Sequence, residues 1–228
     1  MSDPQARVDF DAPSPAPPAS AVAVFGDRLP LAEAFASALC GPGLVRGLLG
    51  PREVPGIWPR HLLNCAALTD LLPTGARVVD VGSGAGLPGV VLAIRRPDLR
   101  VDLVEPMARR TDFLDATLAD LGLEGAVRVV RGRAEDPEVL ARVGNAEWVT
   151  ARAVAPLDRL ARWCLPILAP GGTLLAIKGR TAAAELATHQ RALDRLGARD
   201  PQVISCGGDA TGGPVTVVSI RRSPSRQE

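Results

Sequence analysis

The sequence predicts an α/β protein: a mostly parallel, Rossmann-like sheet of seven strands with an antiparallel C-terminal hairpin, preceded by a small helical cap. Three observations carry that expectation. From residue 76 onward, short apolar segments alternate with helical stretches, the pattern of parallel strands covered on both faces. The first of these segments runs into a glycine turn at 82–89 that opens a helix. The last two, 202–206 and 215–220, are joined by a link carrying Gly207, Gly208, Gly212 and Gly213, too short for a crossover helix, so they pair antiparallel.

Taken in order, residues 1–27 read as a disordered tail, rich in Pro and Ala, that buries too little apolar surface to offset its ordering entropy. Residues 28–75 form the cap. Leu31, Ala34, Phe35, Ala38 and Leu39 fall at helical spacing, and Cys40-Gly41-Pro42-Gly43 stops that helix. A loop through Glu53 and Trp58 leads to a second helix at 59–72, with Leu62, Leu63, Ala66, Leu68, Leu71 and Leu72 on its buried side. The sheet domain spans 76–221. Its parallel strands are expected at 77–81, 101–105, 127–130, 148–151 and 173–177, and its helices at 89–95, 108–121, 138–142, 157–168 and 182–196. Residues 222–228 are left as a short basic tail.

Composition bounds the function. The chain has 228 residues, 46% hydrophobic and 22% charged, which is ordinary globular chemistry. Net charge is +1, so a bulk electrostatic grip on nucleic acid or membrane is excluded, though a local patch is not. Of 26 basic residues all but Lys178 are Arg. Cys40, Cys65, Cys164 and Cys206 are far apart, and only His61 and His189 accompany them, so neither a zinc site nor a disulfide framework is expected. No apolar run reaches the ~18 residues of a membrane span. No basic-then-apolar leader opens the chain, and a cytoplasmic location is expected.

The sharpest constellation is Asp80-Val81-Gly82-Ser83-Gly84-Ala85-Gly86-Leu87-Pro88-Gly89. Gly82, Gly84 and Gly86 let the backbone turn sharply and approach a ligand closely. Glu105 ends the second strand, where a carboxylate can accept both hydroxyls of an adenosine ribose. Gly84, Gly86 and Gly89 match a dinucleotide fingerprint, so NAD is one candidate. The other is S-adenosylmethionine (SAM), and Asp80 favours it. A carboxylate just before the glycines helps hold an ammonium end, whereas it repels a diphosphate. The terminal hairpin, in place of a second mononucleotide half, points the same way. Glu135 and Arg152 lie just beyond strand ends on the edge of the glycine turn.

These residues, together with Leu103-Val104-Glu105, Arg131-Gly132-Arg133-Ala134-Glu135, Thr150-Ala151-Arg152-Ala153, Lys178-Gly179 and the preceding Arg60-His61-Leu62-Leu63, resemble the RsmG (GidB) family. Its members are guanine-N7 methyltransferases of small-subunit (16S) ribosomal RNA. The resemblance covers about residues 42–200. It implies the class I SAM-dependent methyltransferase fold, with SAM as methyl donor leaving as S-adenosylhomocysteine. By the same resemblance Gly82 and Leu87 line the methionine and adenosine side, Glu105 holds the ribose, Ala134 and Glu135 bracket the adenine, and Arg152 completes the SAM site. The partner implied is small-subunit ribosomal RNA, within a ribosomal particle or precursor, with the protein a monomer.

The remaining residues bear on the acceptor. There is no N/D-P-P-Y/F loop for exocyclic amines after the fourth strand, and Cys164 sits in an apolar helix rather than at an activating site. Guanine N7 needs no general base, and the resemblance is what selects that atom. Lys178, at the end of the fifth strand, is expected to position substrate by meeting RNA phosphate or the target base. His61 is expected to be structural, and Arg46, Arg52, Arg60, Arg128, Arg131 and Arg133 are candidate phosphate contacts. The readings kept open are a SAM-dependent methyltransferase of another RNA or small molecule, a non-catalytic ribosome-associated SAM-binding module, and an NAD-dependent oxidoreductase.

Overall fold

The seven strands lie in one sheet in the order β3-β2-β1-β4-β5-β7-β6. The structure is a computed structural model that describes residues 14–152 and 155–224. The strands are β1 (Arg77–Val81), β2 (Arg100–Glu105), β3 (Val127–Arg131), β4 (Ala146–Arg152), β5 (Leu168–Ile177), β6 (Ala198–Cys206) and β7 (Val215–Arg222). The first five pair in parallel, and β7 pairs antiparallel with both β5 and β6. Each expected strand is present, and the expected hairpin is the β6–β7 pair.

Side chains alternate across the strands and so divide the core in two. Val78, Val101, Leu103 and Val217 face a layer made by the cap with α4 (Gly89–Arg95) and α5 (Ala108–Leu121). Val79, Val81, Val104, Val149 and Val218 face α6 (Pro137–Val143), α7 (Leu157–Cys164) and α8 (Ala182–Arg195). A strand buried on both faces has to be apolar throughout, which is why β1 reads Val78-Val79 and the buried Asp80 stands out within it. Strand order reverses between β1 and β4, and a crevice opens there beyond the carboxyl ends of the strands.

The cap departs from expectation in two places. Its ordered structure begins inside the segment expected to be a disordered tail: α1 (Ala19–Phe25) is a helix whose Ala21 and Phe25 are buried. Phe25 meets Trp58 edge-on at 6.4 Å, and the Trp58 indole N–H donates to Pro15 O at 2.7 Å. A few apolar residues spaced one turn apart suffice once a tryptophan supplies both an apolar wall and a donor. Residues 1–13 of that expected tail lie outside the described residues. The helix α2 (Leu29–Ala38) also does not stop at Cys40 but widens into a π-turn, Leu39–Gly43, that takes Pro42 inside it. The second cap helix is continuous but changes pitch, from a π-turn at Ile57–Leu62 through α3 (Leu63–Ala66) to a 3₁₀ stretch at Ala67–Leu71. At the other end β7 runs through Arg222, into the expected basic tail, and the Ser223 hydroxyl donates to Gly197 O at 2.7 Å. Residues 225–228 lie outside the described residues.

Candidate functional site

The glycine loop leaves β1 with Gly82, Gly84 and Gly86 at φ of 71°, 60° and 96°, the left-handed region that side chains disfavour. A Cβ on Gly86 would lie 2.6 Å from Val90 Cγ2, so the loop is also pressed against the start of α4. Asp80 lies beneath it, fully buried. Asp80 Oδ2 accepts the Gly89 N–H at 2.9 Å and thereby ties the strand end to the first turn of α4. Its other oxygen, Oδ1, has no partner. Burial pushes the Asp80 carboxyl up to about 7, against the pull of the Gly89 hydrogen bond.

Glu105 closes the loop from the neighbouring strand. It is 1% exposed, and Oε2 accepts the Gly84 N–H at 3.0 Å while Oε1 accepts the Met107 N–H at 3.0 Å. Arg110, one turn into α5, brings Nη1 to 3.4 Å from Oε2. Arg152, at the carboxyl end of β4, faces the same crevice. Its Nη2 donates to His61 Nδ1 at 3.1 Å and its Nη1 to Arg60 O at 3.3 Å. Burial and, after it, the Arg152 charge hold His61 well below the usual imidazole range, at about 4.

Two adjoining hollows make up the crevice. The larger, an open cleft of about 1020 Å³, is walled by Gly82, Ser83, Gly84, Ala85 and Leu87 of the loop, by Glu105, Met107, Arg110 and Arg152, and by Leu48, Glu53 and His61 of the cap. The smaller, of about 420 Å³, lies between Val81, Ala134, Glu135 and Trp163. The structure therefore brings Gly82, Gly84, Leu87, Glu105 and Arg152 to one cleft and Ala134 and Glu135 to the apolar hollow beside it. Asp80 and Gly86 are different: Asp80 supports the loop from behind, Gly86 is pressed against Val90, and neither is on the cleft wall.

Lys178 is not poised toward an open surface. Its Nζ donates to Ala155 O and to Glu185 Oε1, both at 2.8 Å, and the same Glu185 oxygen accepts the Leu157 N–H at 2.8 Å. The side chain is 11% exposed, so it pins the start of α7 to the end of β5. Arg128 is exposed, with its Nε donating to Asp102 Oδ1 at 2.8 Å. Arg46, Arg52, Arg60, Arg131 and Arg133 remain exposed. Sequence reasoning missed Glu53, Leu48, Met107, Arg110 and Trp163. Only Arg110 carried a local signal, five residues beyond Glu105 on the helix that follows it.

All four thiols are buried and away from the cleft wall. Burial pushes Cys65 up to about 11 and Cys164 higher still. Among the described residues no cluster of three or more His, Cys, Asp or Glu could hold a metal ion, and no helix is long and apolar enough to cross a membrane.

Comparison with known proteins converges on one group. The family model described as "rRNA small subunit methyltransferase G" matches residues 28–211. The chain is 56% identical over 217 residues to the "Ribosomal RNA small subunit methyltransferase G" of Salinispora arenicola, covering 92% of this chain and 88% of that one. It is 53% identical over 212 residues to the protein of the same name from Mycolicibacterium smegmatis, covering 93% and 89%. Among solved structures, the S-adenosylmethionine-dependent methyltransferase SibL in its apo form aligns at a TM-score of 0.57 and 21% identity, over 89% of this chain and 70% of that one. At that identity the likeness speaks to fold alone.

Proposed function

The chain belongs to the rRNA small subunit methyltransferase G family, and from that premise we propose that it methylates N7 of a guanine in 16S ribosomal RNA with SAM as donor. The residues present fit that donor. Gly82 and Gly84, both at positive φ, leave bare backbone on the cleft wall for close approach of a ligand. Asp80, behind the loop and off the cleft wall, acts on the donor through the loop geometry that its bond from the Gly89 N–H fixes. Bound SAM supplies a methyl group on a sulfonium, primed for in-line displacement.

Glu105 is held by two backbone N–H groups with its carboxylate at the cleft, the place where ribose hydroxyls can donate to it. Trp163 and Ala134 give the smaller hollow apolar walls suited to adenine, with Glu135 at its rim to accept from the amino group. Arg152 puts a positive charge beside the loop, where a carboxylate end of the headgroup is accommodated.

The observation that carries the choice of acceptor is the cleft wall. Among the described residues it holds no thiol, and its one hydroxyl, that of Ser83, is committed to Asp80 O at 2.9 Å. His61 Nδ1 is committed to Arg152. An acceptor that already carries an exposed lone pair, as guanine N7 does, needs nothing more than alignment. The exposed Arg52, Arg60, Arg131 and Arg133 supply phosphate contacts. With net charge of only +1 this grip is local, so the substrate is folded RNA within a small-subunit particle or precursor, met in the cytoplasm by a monomer.

The deciding experiment is methyl transfer from labelled SAM to small subunits taken from cells lacking this protein, followed by mass mapping of the RNA. One 7-methylguanine is expected. Label on another atom, or binding of NAD in place of SAM by titration, would overturn the reading.

A further inference from the structure

Among the described residues only two buried side-chain polar atoms lack a hydrogen-bond partner, Asp80 Oδ1 and His61 Nε2. The first lies behind the glycine loop. The second belongs to a residue that lines the cleft, although only 7% of that residue is exposed. Arg152 determines what this atom can do. A guanidinium has donors only, so the 3.1 Å contact from Arg152 Nη2 makes His61 Nδ1 an acceptor and places the ring proton on Nε2. The cleft therefore contains a neutral, buried N–H with nothing to donate to, a state that native interiors rarely leave unanswered.

Beside it stands a half-exposed acceptor, Glu53. Glu53 Oε2 accepts the Gly50 N–H at 2.9 Å, which fixes the carboxylate, while Glu53 Oε1 stops 3.6 Å from His61 Nε2. That separation is too long for a hydrogen bond, so donor and acceptor lie side by side without satisfying each other. Both line the cleft.

Resting on the reading that the acceptor is a guanine, we propose that His61 and Glu53 read its edge, His61 Nε2–H donating to O6 and Glu53 Oε1 accepting N1–H. Guanine carries these two groups as neighbours. Adenine carries a donor and an acceptor in the opposite order, so both contacts would turn repulsive. A phosphate is a poorer occupant, because the Glu53 carboxylate beside the donor repels it. Gripping O6 and N1–H leaves N7, on the far side of O6, with its lone pair free for displacement at the sulfonium methyl. A site built from paired polar groups rejects an analogue that leaves them unpaired far more strongly than an apolar pocket rejects a change of size.

The test uses the full chain and small-subunit particles rebuilt with guanine or 2-aminopurine at the target position. The second base lacks O6 and the N1 proton but keeps N7. Wild-type protein is expected to methylate guanine with kcat/KM about 100-fold or more above 2-aminopurine, in line with the selectivity of hydrogen-bonding sites. His61→Asn keeps an oxygen for Arg152 and removes the cleft donor. Glu53→Ala removes the acceptor from a half-exposed position, and so gives a readout even if the histidine variant folds poorly. Each variant is expected to bring the guanine to 2-aminopurine ratio close to one while leaving the SAM Kd within about threefold, the mark of a contact made to the base alone. Survival of the wild-type ratio in both variants, or a rise in SAM Kd matching the loss of turnover, would overturn the proposal while leaving guanine methylation intact. Wild-type protein that methylates neither base would instead overturn the acceptor reading itself, and this inference with it.

Discussion

The Glu105 carboxylate accepts the Gly84 N–H at 3.0 Å, so the end of β2 holds the ligand-facing loop of β1 from across the sheet. Glu105→Ala would leave that N–H and the Met107 N–H without their acceptor. The expected cost is about 1–3 kcal/mol in urea unfolding, together with a tenfold or larger rise in SAM Kd by titration. Glu105→Gln keeps one acceptor oxygen and should fall between. Normal SAM affinity in Glu105→Ala would remove this residue from the donor site.

Gly89→Ala is expected to destabilise more than an ordinary surface change. Its Cβ would collide with Leu103 Cδ2 and lie 2.8 Å from Asp80 Oδ2, breaking the contact that ties β1 to α4. Overpacking of that kind costs about 1–3 kcal/mol, which is visible as a lowered urea midpoint. Gly125→Ala, with open space around its Cβ, is the matched control and should stay near the parent.

Asp80 and His61 give opposite pH dependences. The Asp80 carboxyl is raised from 3.8 to about 7 on folding, so the folded chain holds its proton longer and stability falls as pH rises through that window. The imidazole of His61 is lowered from 6.5 to about 4, so the unfolded chain holds its proton longer and stability rises from pH 4 to 6.5. Thermal unfolding of ligand-free protein should show it. Relative to the parent, Asp80→Asn should gain stability with rising pH, and His61→Asn should lose it. Parallel pH profiles in all three proteins would contradict both assignments.

Lys178→Met should release Ala155 O and leave Glu185 without its cation while α7 and α8 stay folded. Loss of this nearly buried pair is expected to lower stability by about 2 kcal/mol or more. SAM Kd should stay within a few fold, because Lys178 is not on the wall of either hollow. Methyl transfer should fall through misplacement of the start of α7. A lysine serving only to meet RNA would leave the unfolding midpoint unchanged.

Most of the sheet was legible because its signals are local. Val78-Val79 and Leu103-Val104 are apolar runs that two covered faces demand, and the glycines and Glu105 mark the turn and strand end by type and position. The cap site was not legible, for a physical reason. His61 and Arg152 meet across 91 positions, and the Trp58 indole finds its carbonyl 43 positions away. Such contacts exist only after packing, and no spacing rule announces them. Lys178 shows the same limit from the other side: its position at a strand end was readable, but its engagement by Glu185 depended on how α8 packs.

The chain's last strand, β7, is lodged between β5 and β6, so each of those strands has its C-terminal partner nowhere else. A form cut before Val215 would strip the edge of β5 and leave β6 with no neighbour. It would expose a row of unsatisfied amides and carbonyls along an apolar strand, an invitation to pair with a second damaged copy. Loss of the segment beyond the link at 207–213 is therefore expected to lead to aggregation rather than to a smaller working enzyme.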